Sequence, residues 1–426
     1  MMGSMVALGD QMVASATNFL TGIIMARSCS QQEFGLYMLC FSLVVFALDL
    51  QSSLLSSPFL IYSRQLHGRD RATYLGNSLI QQFILVLLVI LLLVAAFLVT
   101  GYNLGPKGIH DLLPVLIFAA WPLMLREFIR RVCFAGLEMG LALMVDGLVF
   151  VIQIGGLLLL AATGRLTAAG ALLCIALACC LACVTWLWQR RRSYRVAIAS
   201  FGSDLRKNLA FGKWIFFSSL LWAMSMTLYP WLLAFFHGTG ATGVWGACWG
   251  VVAITNPLLL GMQNYLAPKI VQSHLHDGRA GLARFTGRAT FFCALVLIPL
   301  TVFLFFFGGQ LVALLYGAEY AGNDAVVNVL AVYILVTAAT FPASRGLLAM
   351  ERARLYFVAN IVPFVVMLTC GIVVVKYFGV LGVALALLAG AVATAAIMGF
   401  LFFTVIKKNK DLPKNKTQRS GGGTHE

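Results

Sequence analysis

Charge is what this chain is short of. Asp, Glu, Lys and Arg make up 11% of 426 residues, against 61% hydrophobic, whereas a soluble domain carries about 25% charge. A water-soluble fold of this size has too little interior to hide so much apolar surface, so that class is excluded. Signatures of soluble catalysis are missing as well. There is no Gly-x-x-x-x-Gly-Lys-Ser/Thr loop, no His-Glu-x-x-His and no Gly-x-Ser-x-Gly, which argues against a P-loop, zincin or serine hydrolase unit. The six histidines form no convincing metal pattern. His274 and His276 are two apart beside Asp277, but the loop reads as solvated. The ten cysteines form no disulfide framework, and Cys180 and Cys183 lie in an apolar stretch as small packing residues. Alternating barrel strands are absent too, as the long apolar run from Leu79 to Val99 makes plain.

Long apolar runs are what the chain does have. A hydrocarbon core of about 30 Å needs about 20 apolar residues per helical crossing. Backbone polar groups in lipid must bond internally, so helices are the remaining solution. Twelve spans are expected, over 5–27, 34–60, 75–100, 109–134, 138–163, 166–189, 212–236, 243–268, 289–308, 325–347, 355–376 and 380–406. The first carries Asp10, Gln11 and Asn18 without a basic leader and is expected to be a retained helix. With the N-terminus inside, all basic residues except Arg27, Lys107, Arg165 and Lys376 fall on the inner side. That is the positive-inside signature, with both termini cytoplasmic. The net charge of +15 therefore reports topology and contact with anionic lipid, not nucleic acid.

The longest inner connection divides the spans six and six. The expected organisation is an N-terminal six-helix bundle over 1–190, a basic cytoplasmic linker over 191–211 and a C-terminal six-helix bundle over 212–406. A disordered tail would occupy 407–426. Weak internal repetition supports two halves. At a shift of 208, Gly35 meets Gly243, Tyr37 meets Trp245, Cys40 meets Cys248 and Phe41 meets Trp249. At 214, Arg131 meets Arg345, Ala135 meets Ala349 and Asp146 meets Asn360; at 215, Gly164 meets Gly379. An even number of helices per half gives both halves one orientation, with a pseudo-twofold axis along the membrane normal and a cavity between bundles. The expected class is an all-α integral membrane protein, about 12 transmembrane helices in two pseudo-symmetric bundles.

Several stretches carry a family resemblance. Asn18-Phe-Leu-Thr-Gly-Ile-Ile-Met-Ala-Arg27 followed by Glu33-Phe-Gly-Leu-Tyr37 resembles the start of polysaccharide and O-antigen flippases, within the multidrug/oligosaccharidyl-lipid/polysaccharide (MOP) exporter superfamily. Leu315-Tyr-Gly-Ala-Glu-Tyr320 and Tyr377-Phe-Gly-Val-Leu-Gly-Val-Ala384 are similar to recurring stretches there. The resemblance implies a fold like that of the multidrug and toxic-compound extrusion (MATE) branch, with a central cavity opening alternately to either side. It also implies a bacterial inner-membrane location. The polysaccharide branch moves polyprenyl-diphosphate-linked oligosaccharide outward, whereas the multidrug branch exports cationic drugs using sodium or protons. Twelve spans fit both; lipid II flippases typically have fourteen.

A lipid-linked diphosphate sugar needs cations, and Arg binds it through paired hydrogen bonds. The candidates are Arg126 and Arg130, one turn apart, with Arg345 at the related place in the second half, Lys213, Lys269 and Arg27. Snorkelling to the interface is the plainer role for Lys213 and Lys269. Glu127 adjoins Arg126 but points about 100° away, so it is no obvious partner. Candidate coupling acids within spans are Asp49, near mid-membrane, Asp10 and Asp146; each is either a proton or sodium site or a helix-to-helix tie. Trp222 and Trp249 lie deep enough to stack on sugar rings, or pack. Pro58, Pro230, Pro257, Pro268 and Pro342 interrupt or end spans and are candidate kinks. No cofactor beyond a coupling H+ or Na+ is expected. The expected partners are lipid-linked oligosaccharide, the bilayer and the polymerase or export machinery. A cation-coupled multidrug antiporter is the alternative; a membrane glycosyltransferase or polymerase is the second, disfavoured by the short outer loops.

Overall fold

In a computed structural model of the chain, residues 2–102, 105–191, 194–350 and 352–407 are described. Their helices are α1 (Met2–Ser28), α2 (Gln31–Gln51), α3 (Ser57–Tyr62), α4 (Gly68–Thr100), α5 (Ile109–Ala135), α6 (Met139–Ala162) and α7 (Ala168–Gln189). Then come α8 (Ile198–His237), α9 (Thr239–Ala253), α10 (Asn256–Tyr316), α11 (Asp324–Ala349), α12 (Ala353–Val366) and α13 (Ile372–Lys407). Local chemistry sets the ends. The Ser30 hydroxyl accepts from Glu33 N–H to start α2, and Thr167 does the same for α7 through Gly170 N–H. Gly278 inside α10 (φ 63°) and Gly379 inside α13 (φ 55°) take left-handed backbone that other residues avoid, and each reverses its helix into two crossings.

Two crossings are assembled from pieces. α2 continues through a π-helical turn, Ser52–Ser56, into α3. Pro58 has no N–H to give. The turn before it widens, and Ser57 N–H reaches the Ser52 carbonyl. α9 stops at Ala253, two residues before Asn256–Pro257 starts α10, so its crossing bends there. A second π-helical turn, Met367–Gly371, joins α12 to α13. With α10 and α13 each counted twice, the described residues make twelve crossings, as expected. Leu87, Leu91, Leu98, Phe303 and Phe306 are among the large apolar side chains left exposed, the pattern of a bundle whose solvent is lipid.

One end of the bundle carries the starts of α1, α4, α6 and α8 and most of the Arg and Lys; it is called the basic face below, and the opposite end the far face. α1–α7 pack as one six-crossing bundle and α8–α13 as a second. Toward the far face they share one hydrophobic core, built on residues such as Phe34, Leu39, Cys248, Tyr316 and Tyr320. Toward the basic face the second bundle keeps its own core around Met262, Ile270, Leu282, Leu347 and Phe402. The halves thus share a core toward the far face and keep separate cores toward the basic face, where the start of α8 still rests on the first half.

The junction is glycine-dependent. α2 and α9 cross so closely that a Cβ on Gly35 would lie 1.7 Å from the Thr239 carbonyl oxygen, and one on Gly243 2.4 Å from that of Gln31. These glycines are the pair related by the 208-residue shift, so equivalent points of the two halves touch where a pseudo-twofold axis would pass. The stretch expected as linker is helical from Ile198 and docks on α4. Tyr74 donates to Asn208 (2.6 Å), Asn77 to Asp204 (2.7 Å), and Asn208 to Gln81 (2.8 Å). The polar residues that read as loop are satisfied by polar residues buried on α4. The tail after Lys407 lies outside the described residues.

Candidate functional site

Between the halves lies a cavity of ≈ 590 Å³ walled by α1, α2, α9 and the start of α10. Asn18, Tyr37, Phe41, Trp249 and Asn256 face it, and none of its described lining residues is charged. Trp249 packs beside Trp245 and Tyr333, with ring centroids 5.6 and 6.2 Å away. At the far face the cavity is closed by Phe34, Tyr316 and Tyr320, whose rings lie 6.1 to 6.4 Å apart. Gly250 has no room for a Cβ because the Tyr316 hydroxyl is in its place, 1.9 Å away. Arg27 donates to the carbonyls of Leu314 and Leu315, and Gln31 to that of Glu319 (2.7 Å). Three of the resemblance motifs therefore meet in one place, the far-face closure.

Arg126 and Arg130 stand elsewhere than in the cavity. Both lie on α5 inside the first bundle, 19% and 9% exposed, with fully buried acids for partners. Arg126 donates through Nη2 (2.7 Å) and Nε (3.2 Å) to one oxygen of Asp146 on α6. Arg130 donates to Asp10 on α1 at 2.9 Å, and its Nε lies 2.7 Å from the other Asp146 oxygen, an ion pair not aligned as a hydrogen bond. Glu127 pairs with Arg130 (3.4 Å) and Arg131 (2.9 Å) rather than with Arg126. At about 1.5 Å per residue these groups sit roughly 7–14 Å from the basic ends of their helices. A weak path joins them to the cavity: Arg130 donates to Gln11 and Gln11 to Ser15, each at 3.4 Å, and Ser15 lines the wall. The residues expected as free cations and as coupling acids thus form one neutralised network. Its partners come from helices far apart in sequence, which is why spacing could not reveal it.

The other candidates are scattered. Arg345 is exposed on α11, its guanidinium 4.9 Å from the Phe341 ring. Lys269 is exposed on α10 and donates to its neighbour Tyr265 at 2.6 Å. Arg27 belongs to the far-face closure. Lys213 and Trp222 lie on the helical backbone of α8, and their side chains are outside the described residues. Asp49 sits one residue pair before the π-helical turn, against Phe216, Leu220 and Ala223 of α8. Among the described residues no Lys, Arg or His pairs with it. The cavity's Tyr37 and Phe41 were legible only as members of a motif and a repeat; Asn256 gave no signal.

This architecture defines a class: a multi-pass membrane protein of two six-helix bundles with the fold of the MOP-superfamily transporters. The chain is similar, at 16% identity and a TM-score of 0.76, to a multidrug resistance MATE family transporter of that superfamily in an inward-facing conformation, covering 96% of this chain and 99% of that one. Against an outward-facing conformation of such a transporter the TM-score is 0.66, at 16% identity over 96% and 95%. It is also similar to the lipid II flippase MurJ in an inward closed conformation, with a TM-score of 0.69 and 14% identity over 94% and 89%. Comparison with curated protein sequences finds no match. The polysaccharide biosynthesis protein family model matches residues 3–274, and the chain belongs to that family.

Proposed function

We propose that the protein flips polyprenyl-diphosphate-linked oligosaccharide across a bacterial inner membrane for surface polysaccharide synthesis. The observation that carries this reading is the central cavity: aromatic and amide-lined, with no carboxylate among its described residues, and with an arginine network two hydrogen bonds behind its wall. A sugar head gains ring stacking and hydrogen bonds there. A cationic drug finds no counter-charge. The positive-inside rule puts the basic face and both termini in the cytoplasm, so substrate would enter from that side, where the cores of the two halves part. The bundle limits, 1–190 and 212–406, belong to the same reading.

In the proposed cycle the head enters between the bundles while the polyprenyl tail stays in lipid. The diphosphate competes with Asp10 and Asp146 for Arg130 and Arg126, a like-for-like exchange of anions on guanidinium. Arg345 and Lys269 gather the anionic head at the cytoplasmic mouth. The halves then rock about the junction, parting α2 from α9. Asp49, beside the π-helical turn and without an ion-pair partner among the described residues, is the proposed proton or sodium coupling site, and polymerase or export proteins would receive the product. That same intramembrane acid is what favours the second reading, a cation-coupled antiporter. Deleting the gene separates the two. A flippase predicts lost surface polymer and accumulated undecaprenyl-linked repeat units. An antiporter predicts intact polymer and heightened sensitivity to cationic drugs, which would overturn the flippase reading.

A further inference from the structure

The second bundle holds a cavity of its own. It measures ≈ 180 Å³ and is walled by α8, α10, α11, α12 and α13. Its described lining includes Ser225, Thr337, Thr340, Ser344, Asn360 and Thr394 and no charged residue. The hydrogen bonds of these six share one feature. Ser225 donates to Leu221 O, Thr337 to Tyr333 O, Thr340 to Val336 O, Ser344 to Phe341 O, Asn360 to Tyr356 O and Thr394 to Gly390 O, all at 2.7–2.9 Å. Each donates to a carbonyl of its own helix, Asn360 with one of its two amide hydrogens. Among the described residues none bonds a side chain on a neighbouring helix. Polar side chains inside a membrane bundle ordinarily tie helices together; these do not. What they leave free is mostly oxygen lone pairs, with the second Asn360 N–H and the Gln263 amide beside them on the same wall.

An uncharged wall rich in acceptors, with a few amide and tyrosine donors, suits a guest whose neutral hydroxyls both donate and accept. A cation would lack a carboxylate to neutralise it, and an anion would lack a cation. Tyr229, Tyr333 and Phe341 add aromatic faces to the same space, and the C–H face of a sugar ring packs on such surfaces while its hydroxyls donate around the rim. Trp249, on the wall of the central cavity, packs against Tyr333, so the two spaces share that aromatic partition. Phe341 carries the Arg345 guanidinium on its ring, which puts one cation beside the pocket for a phosphate outside it. We propose that this pocket is a subsite for a single uncharged sugar ring of the lipid-linked head. The inference rests on the flippase reading for its substrate class, but the pocket's chemistry is testable by itself.

The test uses the purified full chain in detergent, titrated by thermal shift and calorimetry. The probes are glucose, galactose, N-acetylglucosamine, glucuronic acid and inorganic diphosphate. At least one uncharged sugar is expected to stabilise the wild type. Its Kd should rise about tenfold or more in Thr340→Val combined with Asn360→Leu, the loss of two ordinary hydrogen bonds. Thr340→Ser, which keeps the hydroxyl, should retain binding, and diphosphate binding should be unchanged in the double variant. The proposal is overturned if no uncharged sugar binds, if glucuronic acid binds best, or if the double variant binds sugar as the wild type does. The gene deletion reports separately. Lost polymer with sugar binding indifferent to the pocket removes the subsite and leaves the flippase. Intact polymer with pocket-dependent sugar binding does the reverse.

Discussion

The two bundles solve the same packing problem at the same place with opposite chemistry. A shift of 214 residues, the one that pairs Arg131 with Arg345, carries Arg126 onto Thr340, Arg130 onto Ser344 and Asp146 onto Asn360. In the first bundle these positions are bonded across helices into a buried ion network. In the second they line an open pocket and, among the described residues, bond only their own helices. Duplicated architecture has thus been divided into a half that is filled and held by charge and a half with neutral space to offer. Buried ion pairs are poor sources of net stability, since desolvation offsets most of the attraction. Keeping one here, while its counterpart has none, points to use of the arginines rather than to a need of the fold.

The largest effect should come from breaking the network on one side only. Arg130→Met leaves Asp10 buried without its counter-ion and Asp146 with Arg126 alone, a cost of about 3–5 kcal/mol. It should appear as a large fall in the thermal midpoint of the purified protein. Converting the first bundle to the pattern of the second, by Arg126→Thr, Arg130→Ser, Asp146→Asn and Asp10→Asn together, removes charge in balanced pairs and should recover more than half of that loss. If the fourfold variant is less stable than Arg130→Met, the network is structural and the comparison fails.

Next in size is the point where the halves touch. Gly35→Ala sets a methyl group onto the Thr239 backbone oxygen, and overpacking of this kind costs about 1–3 kcal/mol, or roughly five- to hundredfold in population. The cost applies only while α2 and α9 are closed. Spin labels across the far face should therefore show a shift toward the far-face-open state, with transport reduced and the fold intact. Gly155→Ala, where nothing lies within 4 Å of the added carbon, should leave the distance distribution unchanged. An equal response from both would remove the junction from the mechanism. Asp49→Asn should act on function alone: unaltered expression and melting, but transport cut at least several-fold. Full transport at every pH tested would strike Asp49 from the coupling site.

How much of this could be read in the sequence depends on the range of the interaction. The twelve crossings were legible because hydropathy and the basic-residue count are local or periodic properties, and the reversal at Gly278 only lengthened the helices around a loop already expected. The Gly35–Gly243 pair was legible as a repeat but not as a contact, since a relation between equivalent positions does not say that they meet on the axis. The network was half legible. Arg126, Arg130, Asp10 and Asp146 all stood out as intramembrane charges, yet their pairing joins α1, α5 and α6, up to 120 residues apart for Arg130 and Asp10. Least legible was the pocket of the second bundle. Ser, Thr and Asn in apolar helices are common ties between helices, and only the direction of their hydrogen bonds shows that here they face a space.

The smallest expected effect sharpens the comparison most. Asn360→Leu and Asp146→Leu replace equivalent residues with the same side chain. Asp146 contacts two arginines at 2.7 Å, so its loss leaves both short of a counter-ion, at a cost of about 3 kcal/mol or more. The Asn360 amide is bonded within the described residues to the Tyr356 carbonyl of its own turn. That carbonyl already lies in a helical ladder, so removing the amide strands no partner, and leucine adds apolar bulk to available room. The expected change in stability is within about 1 kcal/mol, while sugar binding falls. A loss as large as that of Asp146→Leu would mean that Asn360 ties helices together as its counterpart does. The second bundle would then be a packed core, and its pocket would have no claim on substrate.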